Sequence, residues 1–391
     1  MKKVLFVMHA LHFGGAERSL VNLLCELPEE CYEVDILLLR REGGFLAQLP
    51  QWVHVLQTPK KLAGLYSPIF RSGRYALAKL TGTFCAKALR QGKKPQAAWR
   101  WKHVYNRIAE KMPGHYDTAV AFSGSEILYY VADKVSADRK IVFIHNDYRT
   151  AGYSAEDDRP YMEKMDVIAS ISEQCVSVLR ETFPQTASKL VCVENITSSE
   201  YVRKRAEEFY PPEYSENQAV NILSIGRLHP QKGFDIAIDA AAILQDRGVR
   251  FSWVILGEGQ LRDALQGQID SLGLQACVRL IGVRSNPYPY IGKCDVLVQP
   301  SRYEGKSVVL DEAKILCRPI VAAAYPTVAD QIKDGEEGIV APMSAQGIAD
   351  AIELLIGDEE KRMQLVSYLS KREYGNRDEV KKYRKLLDDE A

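Results

Sequence analysis

The sequence has no long apolar run and no paired-cysteine motif. No apolar stretch approaches the roughly 20 residues that a bilayer-spanning helix needs, so we expect no integral membrane segment. The eight cysteines include no C-x-x-C pair, and most lie in apolar stretches. This pattern is typical of buried thiols in a reducing cytosol and argues against a disulfide framework or a zinc site. The apolar start, Met1–Met8, resembles a signal peptide, but His9 and His12 interrupt it, which favours a first β-strand.

A net charge is also absent, because Lys plus Arg and Asp plus Glu each number 51. This balance gives no general case for nucleic-acid binding. The charge is nevertheless unevenly distributed. Residues 43–109 contain 12 Lys or Arg and no Asp or Glu, which leaves 39 basic and 51 acidic residues elsewhere. A neutral chain therefore contains one strongly basic segment.

The 391 residues suit two domains of ordinary size. Short β-branched runs alternate with segments of helical period, which predicts parallel sheets with crossover helices. We therefore expect an α/β chain with two Rossmann-like, doubly wound parallel-sheet domains that face a cleft. The predicted parts are an N-terminal domain over 1–197 with a basic segment at 60–107, a hinge at 198–219, a C-terminal domain over 220–375 and a surface helix at 376–391.

A first motif lies where a predicted strand ending at Ile225 turns into a helix. Arg227 and Lys232 stand five residues apart in this turn, between Gly226 and Gly233. Two cations at such a turn can converge on a phosphate that also meets helix-end amides. The alternative is a pair of solvated surface cations.

A second motif begins at Glu304-Gly305 and continues into a helix that Ser307 would cap. Glu312 then lies about five residues into that helix, roughly 7 Å along its axis from the cap. This offset suits one carboxylate near a sugar and another near a ribose, with the helix amino end on a diphosphate. Solvated helix charges are the alternative for two glutamates spaced in this way.

Two further features belong to the predicted N-terminal domain. Gly14 and Gly15 open a helix after the first strand, but they lack the G-x-G-x-x-G spacing and the following acid of a nicotinamide enzyme. His145 follows a strand at the expected edge of the cleft, where it could reach a ligand hydroxyl. A structural role is the alternative for a lone histidine.

Taken in order, these motifs, together with Gly257-Glu258-Gly259, resemble the retaining GT-B glycosyltransferases of family 4 over essentially the whole chain. The segments Asn286-Pro287-Tyr288 and Tyr303–Lys306 resemble those of bacterial enzymes that assemble capsular, exopolysaccharide or lipopolysaccharide chains. The resemblance implies a C-terminal domain that binds a nucleotide sugar and an N-terminal domain that binds the acceptor.

The resemblance also implies roles for individual residues. The implied catalytic residues are Arg227 and Lys232 on the diphosphate, Glu304 on the donor sugar and His145 near the reacting carbon. The implied donor-binding residues are Glu312 on the ribose, Val283 beside the base, Gly305, and the backbone amides of Gly15, Lys306, Ser307 and Val308.

Cleavage of a sugar–phosphate bond leaves negative charge on the diphosphate, which fixed cations and helix-end dipoles stabilise. With Arg and Lys in that role we expect no metal and no other cofactor, and the chain shows no Asp-x-Asp near a strand end. Family analogy favours front-face attack by the acceptor, with a double displacement through Glu304 as the alternative. Lys306-Ser307 replaces the commoner Phe-Pro of the family, which bears on the identity of the sugar. Asn195 is followed by Ile196 where many members have glycine.

The basic segment places aromatic and aliphatic residues among cations at helical spacing. Such helices can lie on an anionic membrane surface; the alternative is a solvated face whose charges pair with acids elsewhere in the fold. The candidate residues for the membrane or the acceptor are Lys79, Lys87, Arg90, Lys93, Lys94, Arg100 and Lys102. We expect a cytoplasmic protein at the inner face of the cell membrane.

The sequence therefore predicts transfer of a hexose or N-acetylhexosamine to a lipid-linked saccharide. A UDP-sugar is the favoured donor, with a GDP-sugar second. A GT-B epimerase or phosphorylase is one rival, and a catalytically silent partner of another glycosyltransferase is the second. The presence together of Arg227, Lys232, Glu304 and Glu312 disfavours these rivals.

Overall fold

The computed structural model describes residues 1–12, 14–214 and 220–389. The chain divides into two compact units. The first unit consists of Met1–Ile196 and the C-terminal segment from Asp378, and the second unit consists of Thr197–Arg377. Each unit is an α/β fold with a parallel sheet, as the sequence predicts; the cleft between two domains stays a prediction.

The sheet of the first unit has the order β3-β2-β1-β4-β5-β6-β7, and every neighbouring pair is parallel. Its strands are β1 (Lys2–Met8), β2 (Tyr32–Leu38), β3 (His54–Val55), β4 (Tyr116–Ala121), β5 (Ala137–Ile144), β6 (Val167–Ser170) and β7 (Leu190–Cys192). The order reverses at β1, as in doubly wound folds.

The sheet of the second unit has the order β10-β9-β8-β11-β12-β13 and is again parallel throughout. Its strands are β8 (Val220–Ile225), β9 (Phe251–Leu256), β10 (Val278–Gly282), β11 (Val296–Gln299), β12 (Ile320–Ala323) and β13 (Ile339–Ala341). The reversal at β8 places the loops after β8 and β11 beside each other at one edge of the sheet.

Helices connect the strands in both units. Those of the first unit are α1 (Gly15–Glu26), α2 (Lys60–Tyr66), α3 (Ala76–Leu89), α4 (Lys93–Arg100), α5 (Asn106–Ile108), α6 (Glu126–Lys134), α7 (Ala155–Met162) and α8 (Glu173–Thr182). Those that follow are α9 (Ser199–Ala206), α10 (Phe234–Asp246), α11 (Arg262–Ser271), α12 (Tyr288–Lys293), α13 (Val308–Ile315), α14 (Ala345–Gly357), α15 (Glu359–Ser370) and α16 (Val380–Asp388). In the described part of the chain, no helix has both the length and the apolar character needed to cross a membrane.

The central strands are apolar on both faces because helices cover both sides of each sheet. In β1, Leu5 and Val7 pack into one core cluster while Val4 and Phe6 pack into another. Successive strand residues point to opposite faces, so the continuous apolar run seen in the sequence fills two layers. This explains why the runs lack the alternation of a half-exposed strand.

The C-terminal helix α16 packs on the first unit and is less peripheral than the predicted surface helix at 376–391. The ring of Tyr383 stacks on Phe143 with centroids 5.3 Å apart. Its hydroxyl donates to the carbonyl of Glu194 at 3.1 Å, and Leu387 is buried in the same cluster. An aromatic and a leucine four residues apart give this charged helix one apolar face, which the sequence analysis did not weigh.

The predicted hinge at 198–219 contains more regular structure than a linker. Ser198 caps α9 through its side chain, which accepts a hydrogen bond from the Tyr201 amide. Val202 and Ala206 of this helix are buried in a core cluster of the second unit. The hydrophobic pattern of the sequence did not predict this helix, because only two of its positions, Val202 and Ala206, are apolar and buried. Residues 215–219 of the predicted hinge lie outside the described residues.

Candidate active site

The carboxyl edge of the second sheet brings together the two principal motifs. Arg227 and Lys232 follow β8, and Glu304 follows β11, which pairs with β8. Parallel neighbours end at the same edge of a sheet, so loops 70 residues apart in sequence meet here. The sequence analysis expected these residues in one site, and the structure places Lys232 and Glu304 in direct contact.

The Glu304 carboxylate lies at the centre of this site and has only 7% of its side chain exposed. Its Oε1 accepts a bond from Lys232 Nζ at 2.6 Å, from Ser301 Oγ at 2.6 Å and from Gln299 Nε2 at 2.9 Å. Lys232 is itself 19% exposed. A buried carboxylate is stable when a cation and further donors satisfy it. Lys232 therefore pairs with Glu304 in this structure, and its contact with a phosphate stays a prediction.

The environment of Arg227 differs from that of Lys232. It is exposed, and no hydrogen bond or ion pair joins its guanidinium to any other residue that the structure describes. A guanidinium presents a planar fork of donors suited to phosphate oxygens. The site thus combines a neutralised Lys–Glu pair with one uncompensated positive charge.

Glycines allow the loops at this edge to approach one another closely. Gly233 has a φ of +65°, and a Cβ at this position would lie 2.0 Å from the Pro300 carbonyl oxygen. Gly257 has a φ of +148°, and a Cβ there would lie 1.8 Å from the Gly226 carbonyl oxygen. No other residue fits these positions without moving the loops.

Arg302 ties the Glu304 loop to the start of α10. Its guanidinium forms two bonds to the Asp235 carboxylate at 2.9 and 2.6 Å, and its backbone amide donates to the Gln231 carbonyl at 2.8 Å. The bonds from Arg302 hold the pKa of Asp235 below its ordinary value. Sequence analysis missed this pair because nothing in the two separate motifs indicates that they face each other.

Helix α13 begins at Val308, and Ser307 is its cap residue. Glu312 is the fifth helical residue and is 1% exposed. The Val308 amide is one of the helix-end donors that lack a partner within the helix. Gly305 precedes the helix as a buried residue, and the Lys306 ammonium lies 3.9 Å from the Asp311 carboxylate.

The Ser307 amide has a protein partner, which differs from its expected role as a donor-binding amide. It donates to Gln331 Oε1 at 2.6 Å, and Gln331 Nε2 donates to the Ser307 carbonyl at 2.9 Å. Gln331 lies 24 residues downstream, so the local capping pattern could not reveal it. Its amide fixes the first turn of α13 and occupies the Ser307 N–H.

Tyr325 is a further residue that the sequence analysis missed. Its side chain is 1% exposed, and its hydroxyl has no hydrogen-bond partner among the described residues. Burial raises its pKa, and the nearby carboxylates of Glu304 and Asp311 raise it further. It therefore contributes a protonated hydroxyl beside Glu304. The loop after β12 carries no motif that could have identified it.

Val283 follows β10 at the same edge of the sheet and is half-buried. The preceding Gly282 has a φ of +76°, and a Cβ there would lie 3.1 Å from Glu258 Oε1. The glycine therefore lets the loops after β9 and β10 approach each other beside Val283. The role of Val283 beside a base stays a prediction.

His145 and Gly15 belong to the first unit. His145 directly follows β5, and burial lowers its pKa to about 4, against weaker opposing effects of the Asn195 side chain and the Phe122 backbone. Neither ring nitrogen has a partner with hydrogen-bond geometry among the described residues. Gly15 begins α1 and is exposed, and an added Cβ would meet no atom of the described residues within 4 Å. The roles of both residues beside a ligand stay predictions.

Acid should destabilise the first unit through His145. The unfolded ring gains its proton near its ordinary pKa of 6.5, whereas the folded ring stays neutral down to about pH 4. This contribution to stability is therefore complete above pH 6.5 and is lost as the pH falls towards 4. We expect His145→Asn to remove about 2–3 kcal/mol of the loss in unfolding free energy between pH 7 and 4.5. Urea unfolding at both pH values measures it.

The exposed His103, which stacks on Trp99, provides the control for this measurement. His103→Asn should leave the pH dependence of the wild type in place. An unchanged pH dependence in His145→Asn would contradict the account of a buried neutral ring.

The basic segment folds into α2 to α5 with an intervening π-helical turn at Trp101–Tyr105. Part of its charge is used within the first unit, as the solvated-face alternative expects. The partnered cations are Lys79 with Ser67 and Ser72, Arg90 with Asp157 at 3.5 Å, Arg100 with Glu126 at 3.3 Å, and Lys94 over the Tyr153 ring at 3.0 Å. Lys87, Lys93 and Lys102 are exposed.

The aromatic residues of this segment are placed differently from the expected membrane-facing arrangement. Trp101 and Tyr105 are 0% and 4% exposed and belong to the core of the first unit. Trp101 Nε1 donates to Asp133 at 3.0 Å. Helical spacing alone does not tell a core face from a surface face. The exposed apolar residues lie instead on α3 and just before it, where Phe70, Leu77 and Phe84 are 82%, 71% and 75% exposed.

Solved structures similar to this chain share its whole fold. The structure of Anabaena Alr3699/HepE in complex with UDP and glucose matches with a TM-score of 0.72 at 18% identity, over 100% of both chains. WaaG, a glycosyltransferase involved in lipopolysaccharide biosynthesis, matches with a TM-score of 0.63 at 17% identity, over 98% of this chain and 99% of WaaG. At these identities the likeness concerns the fold, which is that of the GT-B enzymes.

Sequence relatives cover different shares of the chain. Alpha-D-kanosaminyltransferase of Streptomyces kanamyceticus is 36% identical over 147 residues, which are 37% of this chain and 38% of that protein. An α-1,4-N-acetyl-D-galactosaminyltransferase of Campylobacter jejuni, named for a polyprenol-diphosphate acceptor, is 24% identical over 95% of this chain and 94% of its own length. The chain thus spans about two fifths of the Streptomyces protein and nearly all of the Campylobacter protein.

The model of the family Glycosyl transferases group 1 matches residues 207–372, which include every candidate residue described above at the edge of the second sheet. Relatives named for amylovoran biosynthesis in Erwinia amylovora and for lipopolysaccharide core biosynthesis in Rhizobium meliloti are 30% and 32% identical over 36% and 37% of this chain. Residues 207–372 are therefore a glycosyl transferases group 1 domain, in a chain whose two Rossmann-like units have the GT-B fold.

Proposed function

We propose that the protein is a retaining, metal-independent glycosyltransferase of cell-surface polysaccharide synthesis. It transfers a hexose or N-acetylhexosamine from a nucleotide sugar, with UDP-sugars favoured, to a lipid-linked saccharide. The observation that carries this proposal is the site at the edge of the second sheet, where Arg227, which has no partner among the described residues, lies in the same loop as Lys232, the ion-pair partner of Glu304. The similarity to UDP-bound HepE and to relatives in polysaccharide synthesis supports it.

In this proposal Arg227 binds the diphosphate of the donor. As the sugar–phosphate bond breaks, negative charge grows on the leaving diphosphate, and a fixed guanidinium stabilises it without reorganisation. Lys232 adds a second positive charge from its position on Glu304. Two protein cations supply the charge that a metal would otherwise provide, so we expect turnover to persist in EDTA.

Glu304 then binds hydroxyls of the donor sugar. Its Oε1 already accepts three bonds, while the one contact of Oε2 among the described residues is a long one from Gln231 Nε2 at 3.4 Å. The carboxylate is thus held rigidly by one oxygen and can accept a sugar hydroxyl with the other. We assign the ribose to Glu312, the base to Val283 and the reacting sugar also to His145, whose neutral ring can donate or accept a bond.

The test of donor binding is a thermal-shift series with UDP, GDP and their sugars. A ligand that binds the folded state raises its melting temperature. We expect UDP and at least one UDP-sugar to stabilise the wild type, and we expect Arg227→Ala to weaken that shift. No stabilisation by any of these nucleotides would contradict the proposed function.

We further propose that the protein docks on an anionic membrane through an apolar surface on the first unit. This surface, the α3 face, consists of Leu77, Leu80 and Phe84 on α3 and of Ile69 and Phe70 just before it. All five side chains are at least half exposed. Contiguous exposed apolar residues on a soluble protein mark an interaction site.

The positive charge around the α3 face favours an anionic partner. The exposed cations Arg71, Arg74 and Lys87 lie beside its apolar residues in sequence, and residues 43–109 contain no acid. An apolar face with a basic border suits the headgroup and acyl boundary of an anionic leaflet. A lipid-linked acceptor would be reached at that surface.

The variant with Leu77→Gln, Leu80→Gln and Phe84→Gln should lose at least tenfold in partition onto phosphatidylglycerol-containing vesicles. Each exposed apolar side chain that enters the interface contributes on the order of 1 kcal/mol or more. Vesicle co-sedimentation at low salt measures the loss. A matched control replaces Leu354 and Met363, which are exposed on the second unit, by Gln. Equal binding of the wild type and the α3 variant, or no binding by the wild type, would contradict the proposal.

A further inference from the structure

The loop that follows β12, residues 324–332, packs against the segment that carries Glu304 and Ser307. In this β12 loop, the Thr327 hydroxyl donates to the Glu304 carbonyl at 3.0 Å. The Gln331 side chain accepts from the Ser307 amide at 2.6 Å and donates to the Ser307 carbonyl at 2.9 Å. All four residues are 7% exposed or less, so water does not compete for these bonds.

The three bonds end on the main chain of the candidate site and not on its side chains. Glu304 and Ser307 are three residues apart, and only Gly305 and Lys306 lie between them. A segment of four residues that is held at both ends has lost most of its conformational freedom. The β12 loop therefore fixes the path of the chain from Glu304 to the first turn of α13.

Gln331 is in turn bonded to the middle of α13. The ammonium of Lys314, the seventh residue of this helix, donates to the Gln331 carbonyl at 2.9 Å. Within the 3₁₀ turn Val328–Asp330, the Val328 carbonyl accepts from the Gln331 amide at 3.0 Å. The main chain and the side chain of Gln331 are thus both held.

Lys314 is a buried cation that the proposed chemistry does not use. Its side chain is 9% exposed, and an ammonium is costly to remove from water unless it is paired. The Asp311 carboxylate lies 3.3 Å from its Nζ, and the centroid of the Tyr374 ring lies 4.9 Å away. These partners hold the ammonium where it bonds to Gln331, the residue that holds the first turn of the same helix.

Thr327 and Gln331 use these polar groups within the protein. The Thr327 hydroxyl donates its proton to Glu304, and both ends of the Gln331 amide bond to Ser307. Their effect on a ligand therefore passes through the segment that they hold. Such an effect can be large, because a misplacement of about 1 Å at a reacting site can cost about 100-fold in rate.

On the basis of the proposed function, we propose that Thr327 and Gln331 are positioning residues for the donor. Thr327 acts through Glu304, which binds the sugar. Gln331 acts through the first turn of α13, whose amides bind the diphosphate, and Lys314 keeps Gln331 in place. The β12 loop thus sets the sugar end and the diphosphate end of the donor site through separate bonds.

Two variants of Thr327 test the sugar end. Thr327→Val keeps the shape of the side chain and removes the hydroxyl, whereas Thr327→Ser keeps the hydroxyl. With the UDP-sugar that the wild type hydrolyses fastest, we expect Thr327→Val to lower kcat about tenfold, because the sugar is no longer held in its reactive position. The dissociation constant of UDP should stay the same, because UDP has no sugar to contact Glu304. Thr327→Ser should restore kcat.

Gln331→Met tests the diphosphate end. It removes both side-chain bonds to Ser307 and leaves the first turn of α13 free to shift, so we expect the dissociation constant of UDP to rise about tenfold. Calorimetric titration with UDP measures this change. Gln275→Met is the control, because Gln275 is exposed in the loop before β10, at the opposite end of the strands. It should bind UDP as the wild type does.

Wild-type kcat in Thr327→Val together with wild-type affinity for UDP in Gln331→Met would overturn the inference. Equal losses of kcat and of UDP affinity in both variants, without recovery in Thr327→Ser, would also overturn it, because they would reflect a general loss of structure. In both cases the wild type still binds UDP and hydrolyses its sugar. If the wild type does neither, the proposed function fails and this inference fails with it.

Discussion

Replacement of Lys232 by Met is expected to lower turnover by at least a factor of 100. Two effects combine in this variant. The loss of the ammonium removes one of the two positive charges that we propose to stabilise the leaving diphosphate. The removal of a single stabilising donor from an active site typically costs a factor of about 100 to 1000. The variant also leaves the Glu304 carboxylate, 7% exposed, without its cation partner. Steady-state release of nucleoside diphosphate measures the result.

A second variant tests the effect on stability. Removal of one partner of a buried ion pair typically costs about 3–5 kcal/mol of stability, because the other charge stays behind. Lys232 is partly exposed, at 19%, so we expect a smaller loss in Lys232→Met. The double variant Lys232→Met with Glu304→Gln should regain stability because no unpaired charge remains. Its turnover should stay low, because both Lys232 and the Glu304 carboxylate that is proposed to bind the sugar are absent. Recovery of turnover in the double variant would contradict both proposed roles.

Replacement of Arg227 by Ala is expected to lower turnover about 100-fold without a change in stability. The Arg227 guanidinium is exposed and unpartnered among the described residues, so its removal breaks no contact. Surface substitutions of this kind change the free energy of unfolding by less than about 0.5 kcal/mol. The expected loss comes from the missing positive charge on the diphosphate. Turnover and urea unfolding of the same preparation measure both quantities.

Arg250 provides the matched control for Arg227. It is exposed in the second unit and immediately precedes β9, at the opposite end of the strands from the candidate site. Arg250→Ala should retain full turnover. An equal loss of turnover in Arg227→Ala and Arg250→Ala would point to the net charge of the unit instead of a site.

The sequence could predict the fold because the strands of both sheets are continuous apolar runs. Runs such as Val4–Val7 are buried on both faces, which is the pattern of a parallel sheet covered by helices. The C-terminal helix was harder to place, because Tyr383 and Leu387 are its only fully buried side chains in the described residues. A charged helix with two apolar anchors looks like a surface helix when its partner is unknown.

The candidate site could be predicted only as a set of residues. The motif spacing identified Lys232 and Glu304, but their contact depends on two loops that meet in the folded sheet. The residues that contact these motifs lie in segments that contain no recognisable motif. Gln331 binds the Ser307 amide and Tyr325 places its hydroxyl beside Glu304, and both lie beyond β12. Local patterns describe a turn or a cap, and they carry no information on residues that pack against it from elsewhere.

For the basic segment, too, the sequence could predict the helices but could not predict which of their faces is exposed. Its composition indicated amphipathic helices, and the structure contains them. Which face is apolar and exposed depends on what lies beneath, however. Trp101 enters the core because α6 supplies Tyr129 and Tyr130 around it, whereas Leu77 and Phe84 find no such cover in the described residues. Burial of this kind is a property of the tertiary fold.

The most direct test of the central claim is the release of nucleoside diphosphate from a panel of UDP- and GDP-sugars in EDTA, with a polyprenyl diphosphate-linked saccharide as acceptor. The account predicts release from at least one UDP-sugar by the wild type, stimulation by the acceptor, and a loss of about 100-fold in Arg227→Ala. No release from any donor, or release that is the same in Arg227→Ala and the wild type, would contradict the claim that this site transfers a sugar.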